Sequence, residues 1–350
     1  MVYIWGYINI MKRRSLLLLV VFALSISVMP AVRAQGDVFR VAAVAPSATN
    51  DLAFSQSMFD ALTLLDEELG DGFEFTFQEG TFIVDDAAVA LRDWASSGEY
   101  DLIIAHGSQY GAILQELAPD FPDISFAWGT DVNTFGLDNV YAYTAAADQG
   151  GYINGAIAAT LTESGVIGVV GPIEVGDAKL YVDGFKAGAA ATNADVQVLV
   201  TYIQSFSDVP LATEAAEAHV ANGADILTGT AQMVVGPIAV AKDNELLWFG
   251  TQSSQAALAE ASGVTFQVYR WDVILRDMIA NRADGTLGGE SYVIDLENGG
   301  LVIEISPTLD AELAETVQAQ IDALSAAIIA GEIVPLPSAV EPAETPEAGS

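Results

Sequence analysis

The sequence predicts an α/β protein of two lobes, each a doubly wound parallel sheet, joined by a hinge. Short apolar β-type runs alternate with helical stretches almost throughout, which is the signature of a parallel sheet covered by helices on both faces. The pattern restarts after Gly150-Gly151-Tyr152-Ile153-Asn154-Gly155. Ten such runs exceed what one compact lobe of this kind holds.

The runs fall at 40–45, 74–78, 102–105, 124–127 and 140–144, then at 166–170, 196–202, 226–228, 246–250 and 265–268. Between them lie amphipathic helices, such as 55–69, where Met58, Leu62 and Leu65 recur at helical spacing, and 88–96. Their apolar faces are core faces first. A chain that crosses between lobes more than once puts 37–144 plus 263–285 in the first lobe and 145–262 plus 286–335 in the second. The crossings then serve as the hinge.

Residues 1–34 read as a secretory signal peptide. The cluster Lys12-Arg13-Arg14 is followed by an apolar run from Leu16 to Met29, ending at Val32-Arg33-Ala34 before Gln35, and Met11 fits as the start. The alternative is an uncleaved membrane anchor, for which Leu16 to Met29 is short against a span of about twenty residues. The chain has no cysteine, so it forms no disulfide and carries no lipid-modified cysteine anchor. Every one of the 47 acidic residues lies after Arg33, and cleavage removes Lys12, Arg13, Arg14 and Arg33, taking the formal charge from −35 to −39. Nucleic acid and anionic membrane surfaces are poor partners for such a chain, and the membrane is met only through the signal segment or a permease. The remaining residues, 52% hydrophobic by whole-chain composition, suffice for two lobes of ordinary size. From Pro335 the text turns rich in Pro and Glu, and 336–350 is expected to be a disordered tail.

Enzyme signatures fail on inspection. Gly171-Pro172-Ile173-Glu174-Val175-Gly176 has the glycine spacing of a phosphate loop, but Asp177-Ala178 stand where Lys and Ser or Thr are needed, and an Asp there repels phosphate. No G-x-G-x-x-G follows the first run, two histidines without cysteine do not make a usual zinc site, and no G-x-S-x-G elbow accompanies His106 or His219. No cofactor is expected.

What remains are loops of hydrogen-bonding side chains and aromatics at the carboxyl ends of strands, where small ligands collect in open parallel sheets. The first, 50–56, carries Asn50, Asp51 and Phe54. Phe54 either offers its ring to a ligand face or anchors the helix start, and Asp51 either accepts from a ligand or caps that helix. Ser108, Gln109 and Tyr110 follow one run and Asp131 the next, so all four are placed to project into one crevice or to sit in exposed turns. In the second lobe Phe206 sits in Ser205-Phe206-Ser207-Asp208, Thr230 and Gln232 in 229–232, and Gln252 in 250–255, with glycines that permit close backbone approach.

These residues carry a resemblance. From about Phe39 to Ile303 the chain resembles the basic membrane protein family of solute-binding proteins, which includes the purine-nucleoside receptors of bacterial ABC transporters. Residues 50–56 are similar to the family's D-D-x-S-F-N-Q, and Gly184-Phe185-Lys186-Ala187-Gly188 to its G-F-x-A-G. Supporting pieces are Gly151-Tyr152-Ile153-Asn154-Gly155, Ser205-Phe206-Ser207-Asp208 and Gly223-Ala224-Asp225. The chain is expected to be a monomer, and the resemblance implies a type I periplasmic-binding fold, with a small ligand sandwiched between the lobes and delivered to an ABC permease rather than transformed. It implies that rings at Phe54 and Phe206 stack on a base and that Asp51 and Asp131 read it. It also shows a departure: where the family has G-x-D-x-D-Q, whose first acid grips the ribose, this chain has Gln252, and Tyr269 stands at the ribose-facing lysine position with Arg270 beside it. Losing an acid–lysine pair removes charge-assisted bonding, roughly twice as strong as neutral bonding, so purine nucleoside is the default guest and other planar or glycosyl guests remain open. Two readings from other classes stand beside transport: a sensory module signalling to a membrane partner, and a hydrolase using Asp51 or Asp131.

Overall fold

The computed structural model describes residues 38–336. The expected signal peptide lies outside the described residues, as does the expected tail beyond Leu336. Within them the chain forms two six-stranded sheets.

The first sheet contains β1 (Phe39–Val44), β2 (Phe73–Gln78), β3 (Leu102–His106), β4 (Ser125–Gly129) and β5 (Val140–Ala145), with β11 (Ser291–Ile294) at its edge, in the order β11-β5-β4-β3-β1-β2. All its pairings are parallel. The second contains β6 (Val166–Gly171), β7 (Gln197–Tyr202), β8 (Ile226–Gly229), β9 (Leu247–Thr251) and β10 (Gly263–Tyr269), with β12 (Leu301–Ile305) antiparallel at its edge, in the order β12-β10-β9-β8-β6-β7. A parallel strand between two helical layers is buried on both faces, which is why its sequence is a continuous apolar run rather than an alternation. Val41 to Val44 and Leu102 to Ala105 are accordingly at most 1% exposed.

The helices are α1 (Phe54–Leu69), α2 (Val84–Ser97), α3 (Gly111–Leu117), α4 (Ala147–Leu161), α5 (Gly176–Thr192), α6 (Val209–Ala221), α7 (Val235–Asp243), α8 (Asp272–Ala283) and α9 (Ala311–Ile329). In α1 the side chains of Met58, Leu62 and Leu65 are fully buried, as their spacing requires. The closest helix pair is α4 against α5, and the motifs at 151–155 and 184–188 explain it. A Cβ on Gly151 or Gly155 would collide with backbone carbonyl oxygens of Tyr181 or Phe185, and one on Gly184 or Gly188 with those of Asp148 or Tyr152. The two glycine pairs face each other, so these motifs set a backbone-to-backbone approach and touch no ligand cleft.

The division between lobes corrects the expected boundaries at two places. Strand 263–269 belongs to the second sheet, parallel to β9, so the chain leaves that lobe after Tyr269 rather than before Gly263. It then enters α8, which packs on α1 and β11. Residues 291–294 pair with β5 of the first sheet, so 286–335 is split between lobes, and the chain returns only at β12. Both unforeseen strands are sheet edges of four or five residues with exposed positions. Edge strands lack the two-sided burial that makes their neighbours read as apolar runs.

Candidate functional site

A cleft of about 310 Å³ opens between the lobes at the carboxyl ends of both sheets. The first lobe contributes Phe54 at the start of α1, Phe82 from the loop after β2, Ser108 and Gln109 after β3, and Thr130 after β4. The second contributes Val175 to Ala178 at the start of α5, Phe206 after β7, Thr230 to Gln232 after β8, Thr251 and Gln252 at β9, and Tyr269 at the end of β10. Eight expected residues therefore line it: Phe54, Ser108, Gln109, Phe206, Thr230, Gln232, Gln252 and Tyr269.

The aromatic wall is built from behind. The Phe54 ring lies stacked on His106 at a centroid distance of 3.8 Å and 10° between planes. His106 is wholly buried. Its Nε2 donates to the Phe54 carbonyl oxygen at 3.1 Å, so its Nδ1, 2.8 Å from the Tyr143 hydroxyl, accepts from that group. Burial drives its pKa down to about 3, so the ring is neutral at physiological pH. Trp271 closes this cluster, edge-on to Phe54 and His106, with its indole N–H bonded to Ser57 Oγ at 2.9 Å. Both histidines thus serve structure: His219 reaches the Val169 carbonyl oxygen at 3.2 Å.

Five expected residues lie outside the lining. Asp51 spends its carboxylate on the loop: Oδ1 accepts from the N–H of Ala53 at 2.8 Å and of Gln56 at 3.1 Å, and Oδ2 from the N–H of Ser55 at 3.1 Å and from the Ser47 hydroxyl. It caps α1, satisfying donors that the helix leaves free. Tyr110 is fully buried, its hydroxyl donating to the Thr81 carbonyl oxygen at 2.7 Å, because the turn at 108–110 continues directly into α3 and rolls this ring into the core. Asp131 Oδ1 accepts from the N–H of Val132 at 2.7 Å and of Asn133 at 2.8 Å, closing an exposed turn. Arg270 forms a two-pronged pair with Asp272 at 3.0 and 3.2 Å, and Asn50 is exposed and not part of the lining.

The main residue that sequence reasoning missed is Asp177. Its segment fails as a phosphate loop, yet it follows β6 and opens α5, the position where the topology gathers ligands. Asp177 is partly exposed toward the cleft, and its Oδ2 accepts from the Tyr269 hydroxyl at 3.0 Å. Loss of water around it raises its pKa, against the opposing pull of that hydrogen bond. Tyr269 is pushed well above the usual phenol range by burial and by the neighbouring carboxylate, so it stays protonated and donates. Gln252 Oε1 meets the Tyr269 N–H at 3.3 Å, and Gln267 Nε2 reaches the Tyr269 hydroxyl at 3.3 Å.

The lobes are tied across the cleft. Gln232 Nε2 donates to Ser47 Oγ at 2.9 Å and to Asp51 Oδ2 at 3.3 Å, and Gln255 Nε2 donates to the Leu52 carbonyl oxygen at 3.1 Å. Ala231 and Gln252 hold φ of 72° and 103°, where side chains are disfavoured. Such backbone concentrates at binding loops that the surrounding structure over-determines. Among the described residues no cluster of three or more His, Cys, Asp or Glu is placed to hold a metal ion.

Comparison with known proteins agrees with this architecture. A purine-binding protein of Brucella abortus is 29% identical over 260 residues, 73% of each chain. Basic membrane protein A of Borreliella burgdorferi is 25% identical over 305 residues, covering 85% of this chain and 88% of its own. An ABC transporter solute-binding protein from Conexibacter woesei superposes with a TM-score of 0.74 at 26% identity, over 85% of this chain and 98% of that one. The family described as ABC transporter substrate-binding protein, PnrA-like, matches residues 38–336, and the chain belongs to it.

Proposed function

We propose that this chain captures a small planar ligand of the purine class between its lobes outside the cytoplasm and hands it to an ABC permease. The observation that carries the reading is the cleft's pair of part-buried rings, Phe54 from one lobe and Phe206 from the other, in a space of about 310 Å³. That volume lies at the small end of ligand sites and suits a guest of one or two rings. Aromatic stacking adds about 0.5–1.5 kcal/mol per ring beyond area burial. The ribose-gripping acid and lysine implied by the resemblance are Gln252 and Tyr269 here, and Tyr269 is engaged with Asp177, which favours a free base over its nucleoside. The name of the Brucella relative points to the same ligand class. Export through the segment at 1–34 brings the protein to the side of the membrane where such guests arrive.

Isothermal titration with adenine, guanine, hypoxanthine and their nucleosides tests this. Bases are expected to bind, with nucleosides weaker, and Phe54→Ala to weaken the base by about tenfold, the equivalent of one lost stack. No heat from any purine would refute the ligand class.

A further inference from the structure

Among the described residues the cleft lining holds one charged side chain, Asp177, and no Lys, Arg or His. Arg270, the nearest candidate cation by sequence, is turned away onto Asp272. The Asp177 carboxylate receives one side-chain hydrogen bond, from Tyr269 Oη to Oδ2, and the backbone N–H groups of Asp177 and Ala178 also favour its charged form, while a carboxylate offers about four acceptor sites. A carboxylate drawn out of water without a counter-charge is costly, and partners must come from somewhere. A second acceptor belongs to another lining residue: the buried Gln232 Oε1 has no hydrogen-bond partner, its amide nitrogen being committed to Ser47 and Asp51. The cleft therefore presents a carboxylate acceptor and an idle amide oxygen, with no Lys, Arg or His in its lining.

We infer that Asp177 is the specificity-determining residue of this cleft, gripping N–H or O–H donors of a neutral or cationic guest and rejecting any guest that carries phosphate or carboxylate. The inference deepens the purine reading and rests on it for the choice of probes. Amino-substituted bases present donors on an edge and meet Asp177 and Gln232 without adding negative charge. Phosphorylated guests bring a second anion into a desolvated space beside the first, where repulsion is poorly screened. The acidity of the whole chain acts in the same direction on approach, lowering the local concentration of anions.

The test is titration of the full chain and of Asp177→Asn with adenine, adenosine, adenosine 5′-monophosphate, glucose and glucose 6-phosphate, together with thermal unfolding of both proteins without guest. The substitution keeps shape and removes charge. It is expected to weaken the best neutral guest by about 10- to 100-fold, as loss of a hydrogen bond to a charged group does. The discrimination against the phosphorylated partner of that guest narrows, and the unliganded variant unfolds at the same temperature or higher, because a poorly solvated charge has gone. A residue with only a structural role would lower that temperature and leave discrimination unchanged. A purine that binds both proteins equally, or a phosphorylated guest held as tightly as its neutral form, overturns the inference and leaves the purine reading intact. Glucose bound in place of purines and lost in Asp177→Asn overturns the purine reading and supports the inference, and a panel with no binding overturns both.

Discussion

Acidification tests the wall behind the ligand. His106 is wholly buried with both ring nitrogens bonded, and its pKa of about 3 in the fold compares with 6.5 for the free side chain. Between those values the unfolded chain binds a proton that the native ring refuses. Stability therefore rises with pH across this window, is complete above about 6.5, and is lost progressively as pH falls toward 3. At pH 4.5 the gap from the unfolded pKa is about two units, so this one residue withdraws about 3 kcal/mol. Urea unfolding of the protein and of His106→Gln at pH 7.5 and 4.5 isolates the effect, since the carboxylates titrate in both. The variant is less stable at pH 7.5, and the difference shrinks by about 3 kcal/mol at pH 4.5. His219, whose pKa burial also lowers, titrates in both proteins and cancels. An unchanged difference, or an NMR titration placing the His106 ring near 6.5, would refute the argument that desolvation governs this ring.

Three further perturbations probe the frame around the cleft. Gly155→Ala drives a methyl group into the Phe185 backbone and is expected to destabilise by about 1–3 kcal/mol or more, read by thermal unfolding; a neutral result would mean that α4 and α5 slide apart freely. Ala231→Gly relieves φ of 72° and is expected to stabilise by about 1 kcal/mol after the entropy of glycine is subtracted, and a loss of stability would show that no strain is held there. Gln255→Leu removes the amide that reaches the Leu52 carbonyl oxygen and is expected to weaken closure by about 1–3 kcal/mol. Small-angle scattering then reports a larger radius of gyration without ligand, and an unchanged radius would mean that this bridge does not hold the lobes together.

The lobed architecture was legible because central parallel strands buried on both faces leave long apolar runs, as at Val41 to Val44 and Leu102 to Ala105, and the edge strands β2 and β7 were legible by their aromatic or β-branched runs, FEFTFQ and QVLVTY. The two strands that were not, Ser291–Ile294 and Leu301–Ile305, sit at sheet edges, where one flank lacks a partner and the sequence is mixed. Their absence left the crossing between β11 and β12 unseen, whereas the boundary at 263 moved because the expected strand there pairs with β9 of the second sheet.

Within the site, position relative to a strand end was legible and side-chain direction was not. Phe54 and Asp51 stand three residues apart in one loop, yet the ring lines the cleft and the carboxylate turns back onto the N–H groups of α1. Competition explains the split. A carboxylate beside a helix start finds several free donors within its own loop, whereas a ring finds none and is positioned by the His106 surface behind it. Asp177 also opens a helix, but Tyr269 reaches across from β10 to engage it, and this cross-strand contact joins residues 92 positions apart. A local motif rule discards Asp177 as the wrong residue for phosphate. In the folded cleft the same carboxylate becomes an acceptor without a cation, and the chemistry that excluded one ligand class defines another.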